Sequence, residues 1–327
     1  MSETEYNSIG AIHEALRNKE LRPEEAYRYI DDNYEEIPGS ENDYHNISVE
    51  FSRQNGDKFA AAVSHIGLKT YPFSPDLLAD AIKYSQEIGD IKSCQELIET
   101  LGDLDVSYWK WRTFVFVIDF LKDSLGYSKN TKQYKENLDK AKDFIAEFKR
   151  VIPHEERAYV AEAELYENQN DIDNAIKALK GGIKKVVVAP QCCMKLADIY
   201  LELGKYADVE EMAKKGILAS IQDQPTVSVG YLYYLLALSL DAQRIIRKSS
   251  EEKTPMNESE IVEIFKAYVT AERLFVNEGR PTVSYIKTIK AKLIMLEMEE
   301  GIGLNASGKS LSSEYDEDEE DDERIAH

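Results

Sequence analysis

The chain has 327 residues, of which 61 are acidic and 40 basic, giving a formal net charge of -21 at pH 7. A surface of that sign repels phosphate backbones and anionic lipid headgroups, so neither nucleic acid nor membrane is expected as a partner. Only 9 prolines and 16 glycines occur beside 43% hydrophobic residues, which leaves long stretches free to form helices around a continuous core.

The N-terminal stretch 1–18 has no apolar run of signal-peptide length, and no run of eighteen apolar residues occurs elsewhere. The three cysteines, Cys94, Cys192 and Cys193, are an odd number, and adjacent cysteines rarely bridge each other. These features predict a soluble, cytoplasmic protein in a reducing compartment. The cysteines are expected to be small buried hydrophobic residues rather than metal ligands, because the CxxC spacing is missing.

Turn residues and prolines divide the first hundred residues into three predicted helix pairs. The first pair joins 9–16 to 24–34 and ends at Pro38. The next two pairs turn at Gly56 and Gly89, 33 positions apart, because glycine accepts the left-handed backbone that ends a helix. Two longer pairs and a last amphipathic helix are predicted further on, over 106–125 with 132–151, 227–247 with 258–276, and 282–300.

An internal repeat is clearest between residues 156 and 223. When 156–189 is aligned with 190–223, a shift of 34 residues, small and aromatic residues coincide: Ala163 with Ala197, Tyr166 with Tyr200, and Gly182 with Gly216. Two helices approach closely only where side chains are small, so the alanines and glycines are predicted to lie where paired helices cross. The tyrosines are predicted to fill the space beside each crossing.

This pattern resembles the tetratricopeptide repeat, which has a small residue eight places in, an aromatic three places later and a tight turn between its helices. Tyr159 and Cys193 replace the usual tryptophan, so the array departs from the consensus. The resemblance implies an all-α fold, a right-handed α-solenoid of about seven helix hairpins over residues 1–300 that ends in a capping helix. Residues 301–327, rich in Gly and Ser and then acidic, are predicted to be a disordered tail.

The resemblance also implies a non-enzymatic scaffold or adaptor, which binds a protein or peptide in the concave groove lined by the first helix of each repeat. The groove positions fall on Arg53, Lys83, Gln86, Arg157, Glu164, Gln191, Met194, Asp198 and Leu201. Arg53, Lys83 and Arg157 are expected to pair with carboxylates of the bound segment.

Aromatic clusters supply further candidate contacts. The segment Trp109-Lys110-Trp111-Arg112 and the tyrosines around Tyr231 have the composition of protein-binding hot spots, and packing between helices is their alternative role. Successive helix residues point to different sides, so one tryptophan can pack while its neighbour is exposed. The predicted partner-binding residues are Arg53, Lys83, Trp109, Arg112, Arg157, Gln191, Met194 and Tyr231.

Two alternative functions are a regulatory sensor, in which a ligand in the groove alters binding of a second protein, and a nucleotide-binding enzyme. The second arises because 303–310 matches the phosphate-loop pattern G-x-x-x-x-G-K-[ST]. That loop requires a preceding strand and a following helix, whereas a charged helix and an acidic run flank it here. No enzymatic activity, cofactor or metal is therefore predicted. The acidic run 314–323 is expected to solvate the tail or to contact a basic partner surface.

Overall fold

The computed structural model describes residues 6–125, 131–221, 227–249, 256–277 and 283–300. Over these residues the chain forms fifteen α-helices and one 3-10 turn, without any strand. It divides into two compact units, which we call unit 1 (Met1–Val187) and unit 2 (Val188–His327). Among the described helices, none combines the length and the apolar character needed to cross a membrane.

Unit 1 contains ten described α-helices that pair in chain order as five hairpins. They are α1 (Ile9–Arg17), α2 (Pro23–Asn33), α3 (Glu41–Arg53), α4 (Asp57–Thr70), α5 (Pro75–Glu87), α6 (Ile91–Gly102), α7 (Trp111–Asp123), α8 (Lys132–Val151), α9 (Arg157–Asn168) and α10 (Ile172–Lys185). Successive first helices, α3, α5, α7 and α9, also pack against one another.

Unit 2 contains two further hairpins and a final helix. Its helices are α11 (Pro190–Glu202), α12 (Tyr206–Ile221), α13 (Val229–Ser249), α14 (Glu258–Asn277) and α15 (Val283–Glu300). Together the described residues of the two units contain seven hairpins and one unpaired helix, which confirms the predicted all-α fold class.

Left-handed backbone separates paired helices where the sequence predicts it. The φ angle is 78° at Gly89, 60° at Asn170 and 68° at Gly204. The following aspartates, Asp90 and Asp171, each accept a hydrogen bond from a backbone N–H three residues on, and so begin α6 and α10. These turns are therefore specified locally, by one residue that tolerates positive φ and one that caps the next helix.

Gly56 has a different role from the one predicted. The left-handed residue of its turn is Asn55, with φ 60°, while Gly56 lies at φ -106°. A Cβ at Gly56 would come within 3.0 Å of the Phe51 carbonyl oxygen and 3.2 Å of the Phe59 ring. Glycine is required here by the close approach of α3 rather than by backbone conformation.

The fourth hairpin begins later than predicted. The helix expected from residue 106 is a 3-10 turn, Val106–Tyr108, in which the Asp105 side chain accepts a hydrogen bond from the Ser107 N–H. Trp109 is then extended, with φ -75° and ψ 139°, and α7 starts at Trp111. The extended residue turns the Trp109 side chain inward, where it is 3% exposed.

Stacked aromatic rings hold α7 against α8. The rings of Phe114 and Phe148 lie 4.7 Å apart with an interplanar angle of 5°. Trp109 stacks on Phe144 at 5.4 Å and touches Phe114 at 5.0 Å. Trp109 is thus a core residue of the fourth hairpin, and its expected contact with a partner stays a prediction.

Small side chains occupy the helix crossings of the repeat. The predicted crossing residues are buried: Ala163, Ala175, Gly182, Ala197 and Gly216. A Cβ at Gly216 would lie 2.9 Å from a methyl carbon of Leu232 and 3.2 Å from the Cys193 Cβ. Only glycine fits that position without displacing a neighbour, as the repeat pattern predicts.

The last helix, α15, packs against α14. Ile289 and Leu296 are buried, and the Tyr285 ring stacks on Phe275 at 5.4 Å. The opposite side of α15 exposes Met295 and Met298. The helix thus covers the end of unit 2 with one side, in the position of the predicted cap.

A buried ionic cluster, which we call the C-terminal clasp, anchors the end of α15 to α13. The Arg244 side chain, 4% exposed, donates through Nη1 to Glu299 Oε2 at 2.8 Å and to Glu300 Oε1 at 2.5 Å. Its Nε and Nη2 donate to Asp241 Oδ1 at 3.0 and 2.8 Å. Burial raises the pKa of the Glu300 carboxyl, but hydrogen bonds from Lys248 and Arg244 outweigh it and lower that pKa overall.

Candidate binding face of unit 1

The packed first helices of unit 1 present one continuous set of polar and aromatic side chains. We call this set the A-face. It comprises His45, Asp80, Lys83, Gln86, Glu87, Trp111, Arg112, Phe116, Asp119, Lys122, Asp123, Arg157 and Glu164. The A-face includes three of the predicted partner-binding residues, Lys83, Arg112 and Arg157.

One end of the A-face is a polar network that joins three helices. Arg112 Nη1 donates to His45 Nε2 at 2.8 Å, and His45 Nδ1 lies 2.5 Å from Asp80 Oδ2. Arginine cannot accept a hydrogen bond, so the geometry places the imidazole proton on Nδ1, where it is donated to Asp80. Asp80 is 1% exposed, which makes this chain of hydrogen bonds part of the packing between α3, α5 and α7.

Asp76 extends the same network at the start of α5. Its Oδ1 lies 3.3 Å from Arg112 Nη2, and its other oxygen pairs with the Lys110 ammonium. The Arg112 side chain is 23% exposed and is already engaged by His45 and Asp76. Arg112 therefore acts here as a link between helices, and its expected contact with a partner stays a prediction.

The middle of the A-face is a hollow of about 260 Å³ between α5 and α7. It is lined by Lys83, Gln86, Glu87, Phe116, Asp119, Lys122 and Asp123. The Lys83 ammonium lies 5.4 Å from the centre of the half-buried Phe116 ring. Gln86 donates to Asp123 Oδ2 at 2.5 Å across the hollow. An aromatic floor is thus surrounded by charged and amide groups, three of them carboxylates and two of them ammonium groups.

Lys122 connects the hollow to α9. Its ammonium lies 2.8 Å from Asp119 Oδ1 and also pairs with Glu164. Burial lowers the pKa of Lys122, but the carboxylates of Glu164 and Asp119 outweigh it and raise that pKa overall. For Asp119 burial dominates, and the pKa of its carboxyl is raised despite Lys122. Two carboxylates therefore share one cation at the α7–α9 contact.

Trp111 and Arg157 form the far end of the A-face. The Arg157 guanidinium carbon lies 3.9 Å from the centre of the Trp111 ring, a cation–π geometry. Arg157 Nη1 also donates to Glu155 Oε1 at 2.8 Å. Trp111 remains 38% exposed, so it is the accessible tryptophan of the pair that the sequence singles out.

The other predicted contact residues are not among those that line the hollow. Arg53 is exposed on α3 and lies 3.5 Å from Glu50 Oε2. In unit 2, Gln191 and Met194 are half-buried on α11. Tyr231 donates to Asp198 Oδ1 at 2.7 Å, and burial, followed by Asp198, raises the pKa of its hydroxyl. Partner binding by these residues stays a prediction.

Metal-ligating groups and cysteines were the other candidate sites for chemistry within the described ranges. No group of three or more His, Cys, Asp or Glu side chains in those ranges is placed to hold a metal ion. All three cysteines are buried, and burial raises the pKa of the Cys94 thiol to about 11. The phosphate-loop match at 303–310 and the acidic run 314–323 lie outside the described residues.

Neither a protein-family model nor a curated protein matches the sequence. Among solved structures, a tetratricopeptide protein of Thermus thermophilus is similar at 17% identity and TM-score 0.47; the match covers 62% of this chain and 99% of that protein's chain. A tetratricopeptide protein of Parabacteroides merdae is similar at 16% identity and TM-score 0.47; the match covers 88% of this chain and 100% of that protein's chain. The human IFIT1 dimer with m7Gppp-AAAA is similar at 14% identity and TM-score 0.44; the match covers 93% of this chain and 67% of the IFIT1 chain.

The hairpins themselves, with small residues at their crossings 34 positions apart, decide the fold. It is a tetratricopeptide-like helical repeat. The m7Gppp-AAAA in the IFIT1 structure is bound by that protein, and the expected absence of a nucleic-acid partner here rests on net charge alone.

The residues of the A-face polar network are spaced at about the repeat period, a pattern that is visible in the sequence. In a tetratricopeptide-like array, residues one period apart occupy the same position on neighbouring first helices. Asp80 follows His45 by 35 positions, and Arg112 follows His45 by 67, close to one and two periods of 34. Lys110 follows Asp76 by 34. A search for complementary polar residues at these intervals would have found the network.

Proposed function

We propose that this protein is a non-enzymatic scaffold that holds a peptide segment of a partner protein on the A-face of unit 1. The supporting observation is the hollow between α5 and α7, where the Phe116 ring is surrounded by hydrogen-bonding and charged groups. Protein-binding sites combine such an aromatic anchor with a polar rim.

The size of the hollow favours a side chain of a bound segment over a whole small molecule. Its volume of about 260 Å³ lies below the range of roughly 300–1,000 Å³ that is usual for ligand pockets. Gln86 and Asp123 can exchange their mutual hydrogen bond for bonds to a peptide backbone. The carboxylates of Glu87, Asp119 and Asp123 outnumber the two lysines, so the inserted side chain is expected to be basic.

The experiment is selection of 15-residue peptides from a displayed library on the full chain, followed by affinity measurement with two variants. Phe116→Ala removes the floor, and Asp123→Lys reverses the charge of an exposed rim residue. Each is expected to weaken the selected peptides at least tenfold, which corresponds to about 1.4 kcal/mol.

The matched control is Lys92→Glu on α6, whose side chain is 87% exposed and lies outside the A-face. It should leave affinity within twofold of the wild type. Selected peptides that bind Phe116→Ala and Asp123→Lys as tightly as wild type, or a library that yields no binder, would contradict the proposal.

A further inference from the structure

The second helix of the third hairpin packs less on the hairpin that follows it than α4 and α8 do. In unit 1, α4 packs on α5 and α8 packs on α9, whereas α6 and α7 make no backbone contact of that extent. The segment 103–110, with its 3-10 turn, separates α6 from α7. Trp109 in this segment packs into the α7–α8 core instead of bridging to α6. A cleft is left between α6 and α8.

This α6–α8 cleft consists of two adjoining cavities of about 500 and 290 Å³. Both are lined by Ile98, Glu99 and Lys140, so they form one continuous depression. The smaller cavity has an apolar floor, which Ile98 and the half-buried Phe144 line. The larger cavity is lined mainly by polar and charged side chains above the buried Phe120 and Leu121.

The floor is rigidly supported. Phe144 stacks on Trp109, and Trp109 in turn contacts Phe114, so the cleft rests on the aromatic core of the fourth hairpin. A preformed apolar surface of this kind binds a partner without the entropic cost of ordering its own side chains.

The rim of the cleft is predominantly acidic. Its charged residues are Glu99, Glu136, Asp143 and Glu147, against Lys132 and Lys140. The rim residues on α8 run from Lys132 to Glu147, fifteen positions or about 22 Å along a helix. An occupant of matching shape is a helix of about four turns.

We propose that the α6–α8 cleft is a second interaction surface, which binds an amphipathic helix of a partner protein with an apolar stripe flanked by Lys and Arg. The apolar stripe packs on Phe144 and the adjoining Ile98 in the manner of a helix in a groove. The flanking cations pair with the rim carboxylates, which fixes the orientation of the helix. The chain's own acidic run 314–323 is excluded as occupant, because like charges would face each other across the rim.

The test uses a 15-residue probe peptide of Leu and Lys, with Leu at helical i, i+3, i+4 and i+7 spacing, added to the full-length protein at physiological salt. The isoleucine methyl groups of the protein are labelled for NMR. The Ile98 methyl signal is expected to shift on binding, while that of Ile12, buried in the core of the first three hairpins, is expected to stay in place.

Charge variants separate specific docking from general attraction to an acidic protein. Glu99→Lys with Glu136→Lys changes two exposed rim residues and should weaken the probe at least tenfold. Glu14→Lys with Glu96→Lys changes net charge equally at side chains 60% and 65% exposed outside the cleft, and should weaken it less than threefold. Asp123→Lys on the A-face should also have less than a threefold effect, which keeps this test independent of the first proposal.

Three results would overturn the inference. The first is an equal loss of affinity in the rim variant and its charge-matched control. The second is probe binding with no shift of the Ile98 methyl signal. The third is equal affinity for a peptide in which every Lys of the probe is replaced by Glu.

Discussion

The fourth and fifth hairpins of unit 1 pack their helices in opposite ways. In α9–α10 the crossing is made of small residues, with Ala163, Ala175 and Gly182 all buried. In α7–α8 the equivalent space is filled by stacked rings, with Phe114 and Phe148 only 4.7 Å apart. The first arrangement brings backbones close, and the second holds them apart on large side chains.

This difference shows how one repeat architecture tolerates a change of packing chemistry. The stability of hairpin α9–α10 depends on small side chains at the crossing, so a larger side chain there should lower it. The stability of hairpin α7–α8 depends on its buried aromatic rings, so truncating one of them should lower it. Stability measurements on matched variants can separate the two.

The largest effect is expected from Phe148→Ala in the aromatic hairpin. Phe148 is 0% exposed, and its removal leaves a cavity beside Phe114, so the free energy of unfolding should fall by about 3–5 kcal/mol. Urea titration followed by circular dichroism measures the change. Phe73→Ala, at a ring 70% exposed, is the matched control and should stay within about 0.5 kcal/mol of wild type. Equal losses at the two positions would contradict the comparison.

A smaller loss is expected from Ala163→Leu in the small-residue hairpin. Ala163 is 0% exposed at the helix crossing, so added volume should lower the free energy of unfolding by about 1–3 kcal/mol. Asn168→Leu, at an exposed position near the end of the same helix, adds a similar side chain without crowding a crossing. If Ala163→Leu were as stable as Asn168→Leu, the crossing would not be tightly packed.

The smallest change in the free energy of unfolding is expected from Lys122→Met, at the contact between the two hairpins. Removing the ammonium leaves the Asp119 and Glu164 carboxylates without their shared cation. The expected cost at pH 7 is about 1–2 kcal/mol, discounted for solvent screening because Asp119 keeps 44% of its side chain exposed.

The pH dependence of this variant has a definite sign. Without the Lys122 ammonium the Asp119 carboxyl is costly only when ionised, and burial raises the pKa of that carboxyl, so the destabilisation should shrink as pH falls from 7 toward 4. Urea titrations of wild type and Lys122→Met at both pH values measure it. Lys92→Met, at a side chain 87% exposed, should show no difference at either pH. A cost that grew on acidification would refute the assigned role of Lys122.

The sequence predicts the regular hairpins because local rules determine them. Ala163 and Gly182 recur as Ala197 and Gly216 at the repeat shift, and Asn170 with Asp171 specifies the turn by itself. The sequence could not predict which of Trp109 and Trp111 is buried, because their burial depends on where α7 begins. The 3-10 turn Val106–Tyr108 delays that start and places Trp109 in the core.

The candidate site was only partly predictable for a similar reason. Lys83, Gln86 and Arg157 follow from the register of the repeat, and all three lie on the A-face. The partners that surround them come from neighbouring hairpins, as Asp123 does for Gln86 and Trp111 for Arg157. Such pairs depend on how successive helices are rotated and offset, which no single-helix pattern records.

The C-terminal clasp has a practical consequence for anyone preparing shortened versions of this protein. A version ending at residue 298 would lack Glu299 and Glu300 and leave the Arg244 guanidinium buried with Asp241 as its remaining clasp carboxylate. An underpaired cation in that environment favours detachment of α15, which would uncover Ile289 and Leu296. Shortened versions of this protein should therefore retain residue 300, so that the clasp stays complete.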